Sequence, residues 1–88
     1  MIKVTIEGAE VRVNDEALEE YKTLKLAGQV EKNPLKIFDL IDQIVDGGSD
    51  KVASIIDPEN GNPKIEEYST FVEKIFTALG ENKQTKNL

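Results

Sequence analysis

The chain has no cysteine and no histidine, and Arg12 is its only arginine. Without cysteine there is no disulfide scaffold and no thiolate site, which fits a reducing compartment. Without histidine the commonest metal ligand and general base are missing. A single arginine leaves little to clamp phosphates, so nucleic-acid binding is disfavoured. Apolar runs never exceed two residues, and the opening MIKVTIEG has no signal-peptide core, so neither membrane insertion nor secretion is expected. The expectation is a cytoplasmic protein.

What is present is acidic. Seventeen acidic against 11 basic residues in 88 give a formal net charge of -6. That length supports one domain, which buries roughly 60–65% of the surface of its unfolded chain, with a net stability of roughly 4–13 kcal/mol.

Residues 2–13 alternate in polarity. Ile2, Val4 and Ile6 share one face, and Val11 and Val13 resume it after Gly8-Ala9, the pattern of a β-hairpin. With Gly8 and Ala9 as the central turn residues, Ile6 lies opposite Val11 and Val4 opposite Val13. A lone hairpin is marginal and needs a helical layer beneath it.

Helices are expected at about 15–27, 34–46, 50–56 and 63–79, which makes the fold class mainly α (α+β): an N-terminal β-hairpin packed on a bundle of about four helices. In the first, Asn14 or Asp15 caps, Ala17, Leu18, Tyr21 and Leu24 form the core face, and Gly28 stops the helix. Leu26 falls on its polar side. In the second, Asn33 caps and Pro34 takes the first helical position. Its face of Ile37, Phe38, Leu40, Ile41, Ile44 and Val45 is broad enough for a central helix, ended by Gly47-Gly48. Ser49 can cap the third, with Val52, Ile55 and Ile56 inward. The fourth opens with Pro63, and Ile65, Tyr68, Val72, Ile75, Phe76 and Leu79 line its core face, with Phe71 and Ala78 at the margin, before Gly80. Residues 1–80 form the single compact domain, and 81–88 a flexible polar tail.

Sites for chemistry are sparse. In IIDPENGNPKIEE, residues 55–67, an EF-hand register with Gly61 in sixth place puts Ile56 first and Pro58 third, neither of which binds a cation. The segment is a turn between helices, Asp57-Pro58 leaving one and Asn62-Pro63 entering the next. Glu19-Glu20 and Glu66-Glu67 diverge by about 100° on a helix and belong to solvated faces. Neither a Walker A nor a GxGxxG motif occurs, and Ser49, Ser54 and Ser69 have no histidine base. Gly47-Gly48-Ser49, flanked by Asp46 and Asp50, would repel phosphate. No catalytic, cofactor-binding or metal-binding residue is assigned, and the protein is expected not to be an enzyme. By elimination, protein binding through apolar margins of helices remains, with Leu26, Ile37, Leu40 and Phe71 as candidate contact residues.

The order of parts resembles a known family. The strand pair at 2–13, an acidic first helix, NPLKIFDLI at 33–41, a D-x-x-x-G turn at 57–61, EEYSTFVEKIFTALGE at 66–81 and Lys86-Asn87 are similar to the small tail assembly chaperones of long-tailed (siphovirus-type) phages and prophages of Gram-positive bacteria. The middle, DGGSDKVASIID, differs from the longer glutamate-rich helix usual there. The resemblance implies a non-enzymatic chaperone of virion morphogenesis, present in the bacterial host cytoplasm and absent from the mature virion. It would bind the tape-measure protein and help recruit tail-tube subunits, with self-association compatible and no nucleic-acid or membrane partner. Such chaperones are often made in two lengths by ribosomal slippage, and Thr85-Lys86-Asn87 is compatible with the slippery codons ACA AAA AAC. The alternatives are an acidic, DNA-mimicking regulator that sequesters a basic protein, motivated by the charge excess, and a metal- or carboxylate-dependent enzyme.

Overall fold

A computed structural model describes the backbone of residues 1–87 and the side chains of residues 1–80. It shows an N-terminal antiparallel hairpin followed by four α-helices: β1 (Ile2–Ile6), β2 (Ala9–Val13), a 3-10 turn (Ala17–Glu19), α1 (Tyr21–Val30), α2 (Lys36–Ile44), α3 (Gly48–Ile56) and α4 (Ile65–Asn87).

The hairpin register differs from the expected one. Glu7 and Gly8, not Gly8 and Ala9, are the central turn residues, with φ of 51° and 86°, the two positive values a type I′ turn requires. Ile6 therefore faces Ala9, Val4 faces Val11 and Ile2 faces Val13. A slip of two residues leaves every side chain on its original face, so the hydrophobic pattern fits both registers equally. The observed one also places Glu10 opposite Thr5 and removes the like-charge pairing of Glu7 with Glu10.

The hairpin is anchored through β2. Val13 forms an isolated antiparallel bridge with Val45. The Asn14 N–H donates to the Ile44 carbonyl at 2.7 Å and the Asp46 N–H to the Arg12 carbonyl at 2.9 Å. Val45 is extended (φ -100°, ψ 132°), so the segment leaving α2 acts briefly as a third strand. Val13, Ile41, Ile44, Val52 and Ile75 are all fully buried and join hairpin, α2, α3 and α4 in one core. Helix α2 holds the expected central place, in contact with α1 and α3.

The expected first helix is split. The Asn14 Oδ1 accepts the Glu16 and Ala17 N–H groups at 3.1 and 3.3 Å, as a cap should, but the turn it starts is 3-10 and ends at Glu20, whose backbone is extended. The α-helix restarts at Tyr21 and passes Gly28, which does not stop it, to Val30. Restarting changes the phase: Thr23 is buried and Leu26 and Val30 pack against the core, while Tyr21 and Leu24 are 75% and 62% exposed.

Caps elsewhere follow the sequence in part. Asn33 Oδ1 accepts the Leu35 N–H at 3.3 Å, and a turn through Pro34 leads into α2. At α3 the cap is not the Ser49 side chain. Gly47 and Gly48 take φ of 91° and 70°, and Asp42 Oδ1 accepts the Ser49 N–H at 2.7 Å from the preceding helix. Helix α4 begins two residues after Pro63 and continues past Gly80. The polar tail assigned to 81–88 falls on residues whose side chains, and in Leu88 also the backbone, lie outside the described residues.

Candidate protein-interaction surfaces

The turn between α3 and α4 resolves into hydrogen bonds. Asp57 Oδ1 accepts the Asn60 N–H at 3.4 Å, its Oδ2 accepts the Asn62 N–H at 3.2 Å, and its carbonyl accepts the Gly61 N–H at 2.7 Å. Gly61 sits at φ 64°, where a glycine is unstrained. The Asp57 carboxylate is thus engaged in fixing the loop, as in an Asx turn. Among the described residues no three His, Cys, Asp or Glu side chains are gathered as a metal ion would need.

Two grooves flank α3. The larger, about 530 Å³, lies between the hairpin turn, the end of α3 and the first turns of α4, with an apolar floor of Ile6, Ile55, Ile56 and Phe71 and a rim of Glu7, Glu66, Glu67 and Lys74. Lys74 donates to Glu7 Oε1, tying the hairpin turn to α4 across one end. The smaller, about 340 Å³, runs along β2 beside Val45, Lys51 and Ile55. Arg12 Nε meets Glu10 Oε1 there at 3.2 Å, which leaves its charge locally balanced.

The third kind of surface is exposed apolar side chain. On α1, the 100° step places Tyr21, Leu24 and Gly28 within about 60° of one another on the side opposite Thr23, Leu26 and Val30. Lys25 Nζ stands 5.9 Å from the Tyr21 ring centroid, a cation–π contact. Leu35, in the connection to α2, is also exposed. On α4, Ile65 and Phe76 are 56% and 38% exposed. They lie about 20° apart on the helix and roughly 16 Å along it, beside Glu66 and Glu73.

Of the four contact candidates read from sequence, Leu40 and Phe71 are buried in the core, and Leu26 and Ile37 are half-buried against it. Among the described residues, Tyr21, Leu24, Leu35, Ile65 and Phe76 are the exposed large apolar side chains of the helical region. The sequence assigned Tyr21 and Leu24 to the core because, in one continuous helix from about residue 15, they share a face with Ala17 and Leu18. The signal available against that reading was Val30, which with Leu26 and Thr23 makes an i, i+3, i+7 row on the other side.

The Tyr68 side chain links two helices at the edge of the core. The Tyr68 hydroxyl donates to the Ser49 carbonyl at 3.1 Å, and its ring meets Phe38 edge-on at 5.1 Å between centroids. Burial, with the Asp42 and Asp50 carboxylates nearby, pushes its phenol up to about 12. It therefore stays protonated and works as a structural link between α3 and α4.

No protein-family model matches the chain, and no curated protein or solved structure matches it. Among the described residues no helix is long and apolar enough to cross a membrane.

Proposed function

We propose that this protein is a tail assembly chaperone of a phage or prophage, which binds the tape-measure protein and helps recruit tail-tube subunits without chemistry of its own. The supporting observation is the pair of exposed apolar patches on α1 and α4, each bordered by charge. Such patches can cover an apolar stripe on a helical partner, while a net charge of -6 keeps the pair in solution. The specific partners rest on the resemblance in the order and spacing of the sequence motifs. In this reading the protein acts in the host cytoplasm and leaves before the virion is finished. The DNA-mimic alternative receives less support, because Lys22, Lys25, Lys32 and Lys36 interrupt the acidic surface along α1 and its exit.

Co-expression with the candidate tape-measure protein, the very long product this reading expects from the gene downstream, is the decisive experiment. The tape-measure candidate should become soluble and co-purify with this chain, and equal insolubility with and without it would refute the proposal. A tail-tube gene upstream and the codons ACA AAA AAC at residues 85–87, followed by an overlapping frame, are the genetic counterparts. Other codons with no overlapping frame would remove the slippage argument.

A further inference from the structure

The turn between α3 and α4 contains the one asparagine of the chain that precedes a glycine, Asn60-Gly61. Asparagine in that setting undergoes a reaction that needs no enzyme: the backbone nitrogen of the following residue attacks the side-chain amide carbon, closes a cyclic succinimide and expels ammonia. Glycine favours it because no Cβ crowds the attacking nitrogen. The other asparagines are hindered. Asn33 and Asn62 precede Pro34 and Pro63, which have no N–H to lose. Asn14, Asn82 and Asn87 precede Asp15, Lys83 and Leu88, whose side chains crowd the attack, and the Asn14 Oδ1 is also engaged by the Glu16 and Ala17 N–H groups. Asn60 and Gly61 are both exposed, and the Asn60 side-chain amide has no hydrogen-bond partner among the described residues.

We infer that Asn60 is a site of spontaneous deamidation whose rate is restrained by Asp57. In the folded turn the Gly61 N–H donates to the Asp57 carbonyl at 2.7 Å, so that bond must open before the nitrogen can lose its proton and attack. The Asp57 carboxylate adds to the hold by accepting the Asn60 N–H at 3.4 Å and the Asn62 N–H at 3.2 Å, on either side of Gly61. In the reaction Gly61 N bonds to Asn60 Cγ, the bond from Cγ to the side-chain nitrogen breaks, and that nitrogen leaves as ammonia with the Gly61 proton. Water then opens the ring at either carbonyl. One opening gives aspartate; the other gives isoaspartate, in which the chain continues through the former side chain. Both products add a negative charge beside Glu59 and close to Asp57, where like charges already gather. Isoaspartate also inserts a methylene into the backbone ahead of Gly61, which displaces the Gly61 and Asn62 N–H groups from Asp57 and loosens the turn joining α3 (ending at Ile56) to α4 (starting at Ile65). The inference stands independently of the tail-chaperone reading, since it requires no other protein.

The test is peptide mapping by mass spectrometry on the purified full chain, incubated folded at mildly alkaline pH and, in parallel, unfolded in guanidinium chloride. The folded chain should gain the mass difference between an amide and an acid at Asn60 before any other asparagine, as a mixture of aspartate and isoaspartate that chromatography separates. A typical intramolecular hydrogen bond shifts an equilibrium by a factor of roughly 2–10, and with three such bonds to Asp57 the folded chain should react about 10-fold or more slowly than the unfolded one. Asp57→Ala, checked as folded by circular dichroism, should react several-fold faster than wild type. Asp57→Asn keeps an acceptor oxygen and is itself followed by Pro58, so it should stay near the wild-type rate. A folded wild type that shows no acid at Asn60 while the unfolded chain does overturns the inference. So does acid that appears first at another asparagine, or aspartate without isoaspartate, which would mean direct hydrolysis of the side-chain amide. Equal rates in the folded and unfolded chain, or a folded Asp57→Ala no faster than wild type, overturn the restraint by Asp57.

Discussion

Thr23 is a polar side chain in an apolar position, and replacing it with valine should stabilise the protein. It is only 3% exposed, and its Oγ1 is buried with no hydrogen-bond partner. Valine has nearly the same shape and the same stiff χ1, so Thr23→Val changes little but the chemistry of one branch. A buried, unsatisfied hydroxyl costs roughly 1–3 kcal/mol in lost solvation, and some of that is recovered by replacing it with a methyl group that prefers the same site. The expected gain is about 1–2 kcal/mol, against a total of roughly 4–13 kcal/mol for a chain of this length. In a domain this small, that corresponds to a rise in Tm of roughly 4–16 °C. Urea denaturation followed by circular dichroism measures it directly: the midpoint should rise with the slope unchanged, because the surface exposed on unfolding is the same. Thr23→Ser keeps the hydroxyl and removes the methyl, so it should cost about 1 kcal/mol. The pair of variants also tests the phase of α1. Were Tyr21 and Leu24 the inward residues, Thr23 would lie near the surface and both substitutions would stay within about 0.5 kcal/mol of wild type. A neutral valine, or one that destabilises, refutes the argument that this hydroxyl is buried without a partner.

Four further outcomes follow from the geometry. Leu26→Ala should cost about 1–3 kcal/mol and Leu24→Ala less than about 0.5, and the reverse order in denaturant titrations would mean the α1 face is misassigned. Glu7→Asn should add about 1 kcal/mol by suiting the positive φ of 51°, even though it removes the exposed ion pair with Lys74, and a net destabilisation would show that the ion pair outweighs the turn. Gly48→Ala should cost about 2 kcal/mol, because φ is 70° and the new Cβ would lie 2.8 Å from the Asp42 oxygen that caps α3; a neutral result in thermal melts would refute that capping role. Tyr68→Phe should cost about 1 kcal/mol at neutral pH. The folded phenol is raised above its unfolded value of about 10, so the unfolded chain releases its proton first and stability falls as pH rises from about 10 to about 12. Phenylalanine removes that part of the decline. Absorbance titration in a Tyr21→Phe background, where Tyr68 is the sole tyrosine, should place its midpoint near 12, and a midpoint near 10 would contradict the burial.

The sequence made α2 legible because its pattern was redundant: six apolar residues on one arc leave no other phase in which the helix can be buried, and Ile41 and Ile44 are indeed fully buried. Helix α1 was illegible for the opposite reason. It carries two competing apolar rows, Tyr21-Leu24 and Leu26-Val30, and periodicity cannot choose between rows of similar strength. The choice is made by Glu20, whose extended backbone detaches α1 from the 3-10 turn capped by Asn14 and resets the helical phase. No intrinsic preference of glutamate announces that break. The hairpin shows a related ambiguity, since its register can slip by two residues without moving any side chain to another face. Type I′ geometry, which puts Gly8 at the second central position, resolves it. The same two-row character explains why Leu26, read as lying on the polar side, packs against the core instead. A helix with two apolar rows can bury only one against its own core, so the other must face outward. The row left outside on α1 is the larger and the more aromatic. Folding the smaller row inward, with a buried threonine whose hydroxyl is unpaired, forgoes stability that a Tyr21-Leu24 core could have supplied. That cost is accounted for if the outer row has work at a protein interface, and Tyr21→Ser with Leu24→Ser should then abolish co-purification with the tape-measure candidate while leaving the denaturation midpoint close to that of wild type.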